Sequence, residues 1–300
     1  MKDLSKFMIL SDSTWLQVEN TTKCNAWCPA CARNQNGFGL NPDLVVEDLS
    51  TARFEEVLKK LPNLTTIQFS GTYGDTMAAA NVLEHINLAL QYADKIQIHT
   101  HGGIRSSQWW TELGVLLKNK NHDVWFGLDG LKGVHEIYRQ GTDFDKTIEN
   151  AKAFINAGGY ATWQFIPWAH NEHQIKDCMR LSQKIGFKKF KFITSVREQL
   201  QAKHWQTGQT IEFRPWSKST TTNTYHLNPE RTSLKLSDCR HLAKSTVYLN
   251  ANGKISPCCY LNIHRTADED VLPDIASEIS SKPYPLCLTR CGNGVTLVHQ

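Results

Sequence analysis

Between residues 15 and 205 the sequence alternates short apolar or β-branched runs with stretches whose apolar residues recur at helical spacing. No other feature constrains the fold as much. Residues 15–18, 65–69, 95–99, 123–128, 160–166 and 189–193 read as strands, and 51–61, 77–92, 109–117, 143–156 and 172–185 as helices. Residues 196–205 read as a last helix. Gly158-Gly159 and Gly186 supply helix stops. Six such units imply parallel strands joined by right-handed crossovers. Periodicity alone leaves open a doubly wound sheet or an incomplete barrel. The pattern breaks over 207–237, where Ser219-Thr220-Thr221-Thr222-Asn223-Thr224 suggests a linker or surface excursion. Beyond it, residues 246–249 and 254–256 flank Asn250-Ala251-Asn252-Gly253, a hairpin signal. The expected division is a domain at 1–206, the linker at 207–237 and a second domain at 238–300.

Composition narrows the function. Lys plus Arg is 33 and Asp plus Glu 29, a net charge of +4, which excludes a strongly electrostatic nucleic-acid binder. The apolar runs are too short to cross a bilayer, and Phe7-Met8-Ile9-Leu10 is too short for a signal-peptide core. A cytoplasmic, reducing location is expected. Nine cysteines in such a compartment point to metal or catalysis rather than disulfides. Cys24, Cys28 and Cys31 cluster near the start, Cys239, Cys258, Cys259, Cys287 and Cys291 near the end, and Cys178 stands alone. Two separated clusters suggest two metal sites, one per domain.

Cys24-Asn25-Ala26-Trp27-Cys28-Pro29-Ala30-Cys31 directly follows the first strand, at the edge where α/β folds place their sites. Three thiolates on one loop can hold three irons of a cubane cluster and leave the fourth iron open. A zinc site would need a fourth ligand, and the next histidine is His85. Cys-x3-Cys-x2-Cys after the first of six β-α units resembles the radical S-adenosylmethionine (SAM) superfamily. The resemblance implies a partial (β/α)6 barrel, SAM chelated to the open iron of a [4Fe–4S] cluster, and a 5′-deoxyadenosyl radical that abstracts a substrate hydrogen.

Further stretches carry the resemblance. Ser70-Gly71-Thr72-Tyr73-Gly74-Asp75 is similar to the glycine-rich motif that holds the SAM amino group, with Asp75 where Glu is more usual. Glycine lets backbone approach a ligand closely, so Gly71, Tyr73, Gly74 and Asp75 are expected SAM contacts. Thr100-His101-Gly102-Gly103 resembles the family's Thr-Asn-Gly turn. Gly127-Leu128-Asp129-Gly130 with His135, Tyr138 and Arg139 resembles its Ser-Leu-Asp-Gly…His…Tyr-Arg stretch. With Gly127 in the serine place, Arg139 alone carries over, to the SAM carboxylate. Gln164 on the fifth strand is a further candidate contact. Ala30 departs from the larger residue near adenine, which moves the adenine contact elsewhere. No catalytic acid or base is assigned.

Cys239, thirteen residues, Gly253, four residues and Cys258 resemble the start of the C-terminal extension called SPASM, or its shorter form, twitch. Five remaining cysteines fit one auxiliary [4Fe–4S] cluster on Cys239, Cys258, Cys287 and Cys291 in a small α+β domain. Cys259 is left out because neighbours on a strand face opposite ways. The resemblance implies a radical SAM oxidoreductase in which the auxiliary cluster accepts an electron from the substrate radical, while a reductant such as flavodoxin or ferredoxin reduces the SAM-binding cluster. The length leaves no further domain for capturing a peptide leader, which favours a small molecule or a stand-alone partner protein; a small-molecule or peptide substrate is expected, with peptide or protein side-chain modification as the alternative function. A non-catalytic zinc protein is the rival from another class. Asn171 with Gln174 reads as a capping box, and Cys178 as a core residue.

Overall fold

The structure, a computed structural model, describes residues 12–118, 121–193, 200–217, 246–256 and 258. The six expected units form. They are β1 (Trp15–Val18), α1 (Thr51–Lys59), β2 (Thr66–Phe69), α2 (Val82–Ala89), β3 (Lys95–Thr100), α3 (Ser107–Leu116), β4 (Asp123–Gly127), the short α4 (His135–Tyr138), α5 (Phe144–Asn156), β5 (Ala161–Phe165), α6 (Ile175–Ile185) and β6 (Lys189–Phe192). Strands β1 to β6 run parallel in chain order, the α/β architecture that the alternation implies. Ser50, Ser106 and Asp143 cap α1, α3 and α5, each side chain accepting a backbone N–H three residues on. Residues 77–92 do not form one helix. A turn capped by Asp75 (Thr76–Ala78) precedes α2, and Asn81 between them reaches back to Leu49.

Strand alternation sorts the side chains into two faces. Leu16, Val18, Ile67, Phe69, Ile96, Ile98, Val124, Phe126, Trp163 and Phe165 are fully buried in one core, packed against Phe54 and Leu58 of α1, Ile86 of α2, Trp110 and Leu113 of α3 and Phe154 of α5. The other face carries Gln17, Gln68, Gln97, His99, Trp125 and Gln164 and lines the inside of the curved sheet. In register, Gln17, Gln68 and Gln97 form one row across three strands. Cys178 is fully buried in the outer core, as a small apolar residue would be.

One expectation about the chain's elements needs correction. The described part of the expected last helix, residues 200–205, is not helical: β7 (Leu200–Lys203) and β8 (Thr210–Phe213) form an antiparallel hairpin, so strand structure runs into the expected linker. Ala202 and Phe213 bury themselves against Tyr138, Trp168 and the cysteine loop, and that packing overrides helix propensity. Residues 246–256 form the expected hairpin, and it joins the main sheet. β9 (Thr246–Leu249) pairs parallel with β1, and β10 (Ile255–Ser256) pairs antiparallel with β9, so the main sheet has the order β10-β9-β1-β2-β3-β4-β5-β6. No helix among the described residues is long and apolar enough to cross a membrane.

Candidate active site

The cysteine loop leaves the C-terminal end of β1 and is held from four sides. Trp27 N–H donates to Gln140 O at 2.7 Å, and Asn34 Nδ2 donates to Ala26 O and Cys28 O. His101, at the end of β3, bonds Asn25 Oδ1 through Nε2 at 2.8 Å. Its Nδ1 accepts the Gly103 N–H, so Nε2 carries the proton and donates. Trp27 stacks on Trp205, between β7 and β8, with ring centroids 5.6 Å apart and planes 3° apart.

The three thiols sit close enough to feel one another's charge. Burial, then the Asp75 charge, then Cys28 and Cys31 push the Cys24 thiol well up. Burial pushes Cys28 up to about 11, with the Arg139 cation opposing and Cys31 reinforcing. Arg139 lies against Cys28 and donates through Nε to Asp129 at 2.6 Å. Burial pulls its pKa down, but Asp129 and then Cys28 more than reverse this, so it stays charged. Among the described residues no three His, Cys, Asp or Glu side chains converge tightly enough for a single metal ion. Three buried or half-buried thiols on one loop beside a buried cation fit a multinuclear iron–sulfur cluster, whose metal charge would stabilise the thiolates. A cavity of about 490 Å³ opens beside Cys24, lined also by Lys23, Asn25, Arg105 and Lys146.

The glycine-rich loop meets the chain itself. A Cβ on Gly74 would stand 1.9 Å from Thr21 O, and one on Gly71 would stand 2.7 Å from Glu19 Oε1. The required space is filled by the segment leading into the cysteine loop. Glu19, which sequence reasoning missed, accepts the N–H groups of Tyr73 (2.6 Å) and Gly74 (3.2 Å) and the Tyr248 hydroxyl (3.2 Å). Burial raises its pKa, and the Tyr73 and Gly74 bonds oppose the rise. Its signal was a lone carboxylate directly after a buried strand. Burial raises the Tyr73 phenol to about 12.

Both Asp75 oxygens are engaged within the protein. They accept from Met77 N–H, the Thr100 hydroxyl and His101 N–H, all within 3.0 Å. Asp75 thus ties the β2 loop to the end of β3. Gly127 has an equally local reason: a Cβ there would stand 2.8 Å from Arg139 Nη2. Gln164 Oε1 is bonded to His99 Nδ1 at 3.0 Å. Asn171 stands at the N-cap position of the short turn Glu172–Gln174, but its side chain makes no capping bond. Its Oδ1 accepts the Trp168 N–H and its Nδ2 donates to Asp129 O and Ile166 O, clamping the loops after β4 and β5. Gln174 accepts from Leu131 N–H instead of completing a box.

Of the expected auxiliary ligands, Cys239, Cys287 and Cys291 lie outside the described residues, as does Cys259. Cys258 follows β10 and is buried against the main core.

No family model matches the chain, and no curated protein is significantly similar to it. Solved structures do match. SuiB of Streptococcus suis bound to S-adenosylmethionine is 14% identical with a TM-score of 0.63, over 96% of this chain and 70% of that one. SuiB bound to precursor peptide SuiA is 15% identical with a TM-score of 0.61, over 91% and 66%. The chain therefore spans about two thirds of the SuiB chain. anSMEcpe with bound AdoMet and Kp18Cys peptide is 16% identical with a TM-score of 0.55, over 94% and 88%. These neighbours are radical SAM enzymes, and the chain shares their fold.

Proposed function

We propose that the protein is a radical SAM enzyme that modifies a peptide. The observation that carries this reading is the set of three thiols on one loop at the C-terminal end of β1, next to a buried arginine, in this fold. Cys24, Cys28 and Cys31 would hold the cluster, and when bound the cluster and SAM supply a 5′-deoxyadenosyl radical that takes a hydrogen atom from the substrate. Arg139 is the residue for the SAM carboxylate, supported by its retained charge and its position against Cys28. Gly71, Tyr73 and Gly74 contribute backbone on the same side, shaped from behind by Glu19. Asp75 acts by fixing that backbone and His101, since its oxygens are already engaged. Asn25, held by His101, sets the spacing between the first two cysteines.

A peptide substrate is supported by the neighbours, whose structures hold precursor peptide SuiA and peptide Kp18Cys. The finer part of the proposal is a net oxidation, with Cys239, Cys258, Cys287 and Cys291 holding an auxiliary [4Fe–4S] cluster as electron acceptor and a flavodoxin or ferredoxin as reductant; its support is the cysteine spacing.

Anaerobic reconstitution tests the reading. A brown protein with about eight irons per chain that forms 5′-deoxyadenosine from SAM is expected. Replacing Cys24, Cys28 and Cys31 with alanine should abolish that product. A colourless zinc protein, or product formation by the triple variant, would refute it.

A further inference from the structure

Inside the curved sheet one polar group stands out. His99 lies on β3 between Ile98 and Thr100, and its side chain falls on the inner face because Ile96 and Ile98 occupy the outer core. The ring stacks on Trp125 of β4, its register partner, with centroids 4.7 Å apart. Nδ1 meets Gln164 Oε1 of β5 at 3.0 Å. An amide oxygen only accepts, so Nδ1 carries the proton and Nε2 is left as a bare acceptor. Nε2 is buried and has no hydrogen-bond partner. Burial pushes the ring's pKa down to about 4, so it stays neutral. A buried acceptor without a partner is costly to keep, and such a group calls for an explanation, of which a bound partner is one.

Position supports the same conclusion. His101 is two residues further along the same face and reaches Asn25 of the cysteine loop. His99 is therefore one pleat repeat, about 7 Å, below the point where β3 meets that loop. The surrounding inner face is rich in amides: Gln17, Gln68, Gln97 and Gln164 each occupy an inward position on a different strand. Such a lining matches an uncharged group rich in hydrogen-bonding atoms.

Resting on the radical reading of this same barrel, we infer that His99 Nε2 is a substrate contact that accepts an N–H from a peptide amide held inside the sheet. Trp125 and Gln164 hold the imidazole in the tautomer that leaves this acceptor open.

The test is nitrogen NMR of the full-length protein with 15N-labelled histidine, the His99 signals being identified by their loss in His99→Gln. The free protein should show an unprotonated Nε2 at His99. Titration with N-methylacetamide, the smallest peptide-bond analogue, should move that signal saturably. N,N-dimethylacetamide, which has no N–H, should not move it. A protonated Nε2 in the free protein, no response, or an equal response to both amides would overturn the inference. Reductive SAM cleavage by the same wild-type preparation is measured in parallel. Its absence would refute the radical reading, while the NMR titration would still decide whether His99 takes an amide.

Discussion

Substituting Gly74 with alanine isolates a steric constraint that backbone dihedrals do not show. Gly74 does not adopt a left-handed conformation, so alanine would meet no backbone strain there. Its Cβ would, however, stand 1.9 Å from Thr21 O, 2.7 Å from Thr21 C and 3.0 Å from Thr22 Cα. Contacts to a Cβ essentially never fall below 3.0 Å, so Thr21 would have to withdraw by more than 1 Å. It is poorly able to do so. Thr21 bonds Asp48 and Glu47, Thr22 bonds Val45 and Glu47, and Lys23 O accepts the Asp75 N–H. The cost should reach or exceed the upper end of the overpacking range, about 3 kcal/mol, a fall in Tm of roughly 5 °C or more for a chain of this size. Gly133 is the matched control. It has φ +86° and no heavy atom within 4 Å of the place a Cβ would take, so alanine there should lose only the left-handed penalty of about 1–2 kcal/mol. Thermal unfolding of the two apo variants by circular dichroism gives the order. If Gly74→Ala unfolds at or above the temperature of Gly133→Ala, the close approach of the glycine loop to the cysteine segment is refuted.

Two further outcomes follow from buried charges. Gly127→Ala should displace the Arg139 guanidinium, 2.8 Å from the new Cβ, while Asp129 stays buried; iron retained after reconstitution should fall, and full retention would show that Arg139 does not support the cluster loop. His85 is fully buried, and burial lowers its pKa from 6.5 to about 4. The unfolded chain takes up the proton first, so the stability this site contributes is complete above pH 6.5 and is lost as pH falls towards 4, by up to about 3 kcal/mol. His85→Leu should flatten that part of the stability–pH curve measured by urea unfolding, and an unchanged slope would refute the assignment.

Strands β1 to β5 were legible because each carries fully buried residues, such as Ile67 and Phe69, in runs too short for a helix, and β6 because Phe190 and Phe192 alternate with lysines. The cysteine loop was legible because three cysteines within eight residues have few other uses. Gly71, Gly74 and Gly127 were flagged, but their reasons were not readable. Their neighbours are Glu19, Thr21 and Arg139, and only the folded chain brings those groups into contact. The bonds by which Asp75 and Asn171 join loops were unreadable in the same way, since a short polar side chain looks alike whether it binds a ligand, caps a helix or joins two loops. The β7–β8 hairpin was hidden because Gln201, Ala202 and Lys203 favour helix locally, and only the burial of Ala202 and Phe213 makes them strand. The glutamines in register on β1, β2 and β3, and Gln164 further along β5, did leave a trace, a polar amide recurring inside apolar strands.

The strand that launches the cysteine loop has neighbours of very different origin. One side of β1 is covered by β2, some fifty residues on, and the other by β9, where Trp15 faces Thr246. The second contact closes a loop of more than two hundred residues, the kind of pairing that forms late in folding. During synthesis β1 therefore remains an open edge, with unpaired backbone groups able to recruit another strand, until nearly all of the described chain has emerged. A chain ended before residue 246 should leave that edge permanently uncovered and aggregate through it.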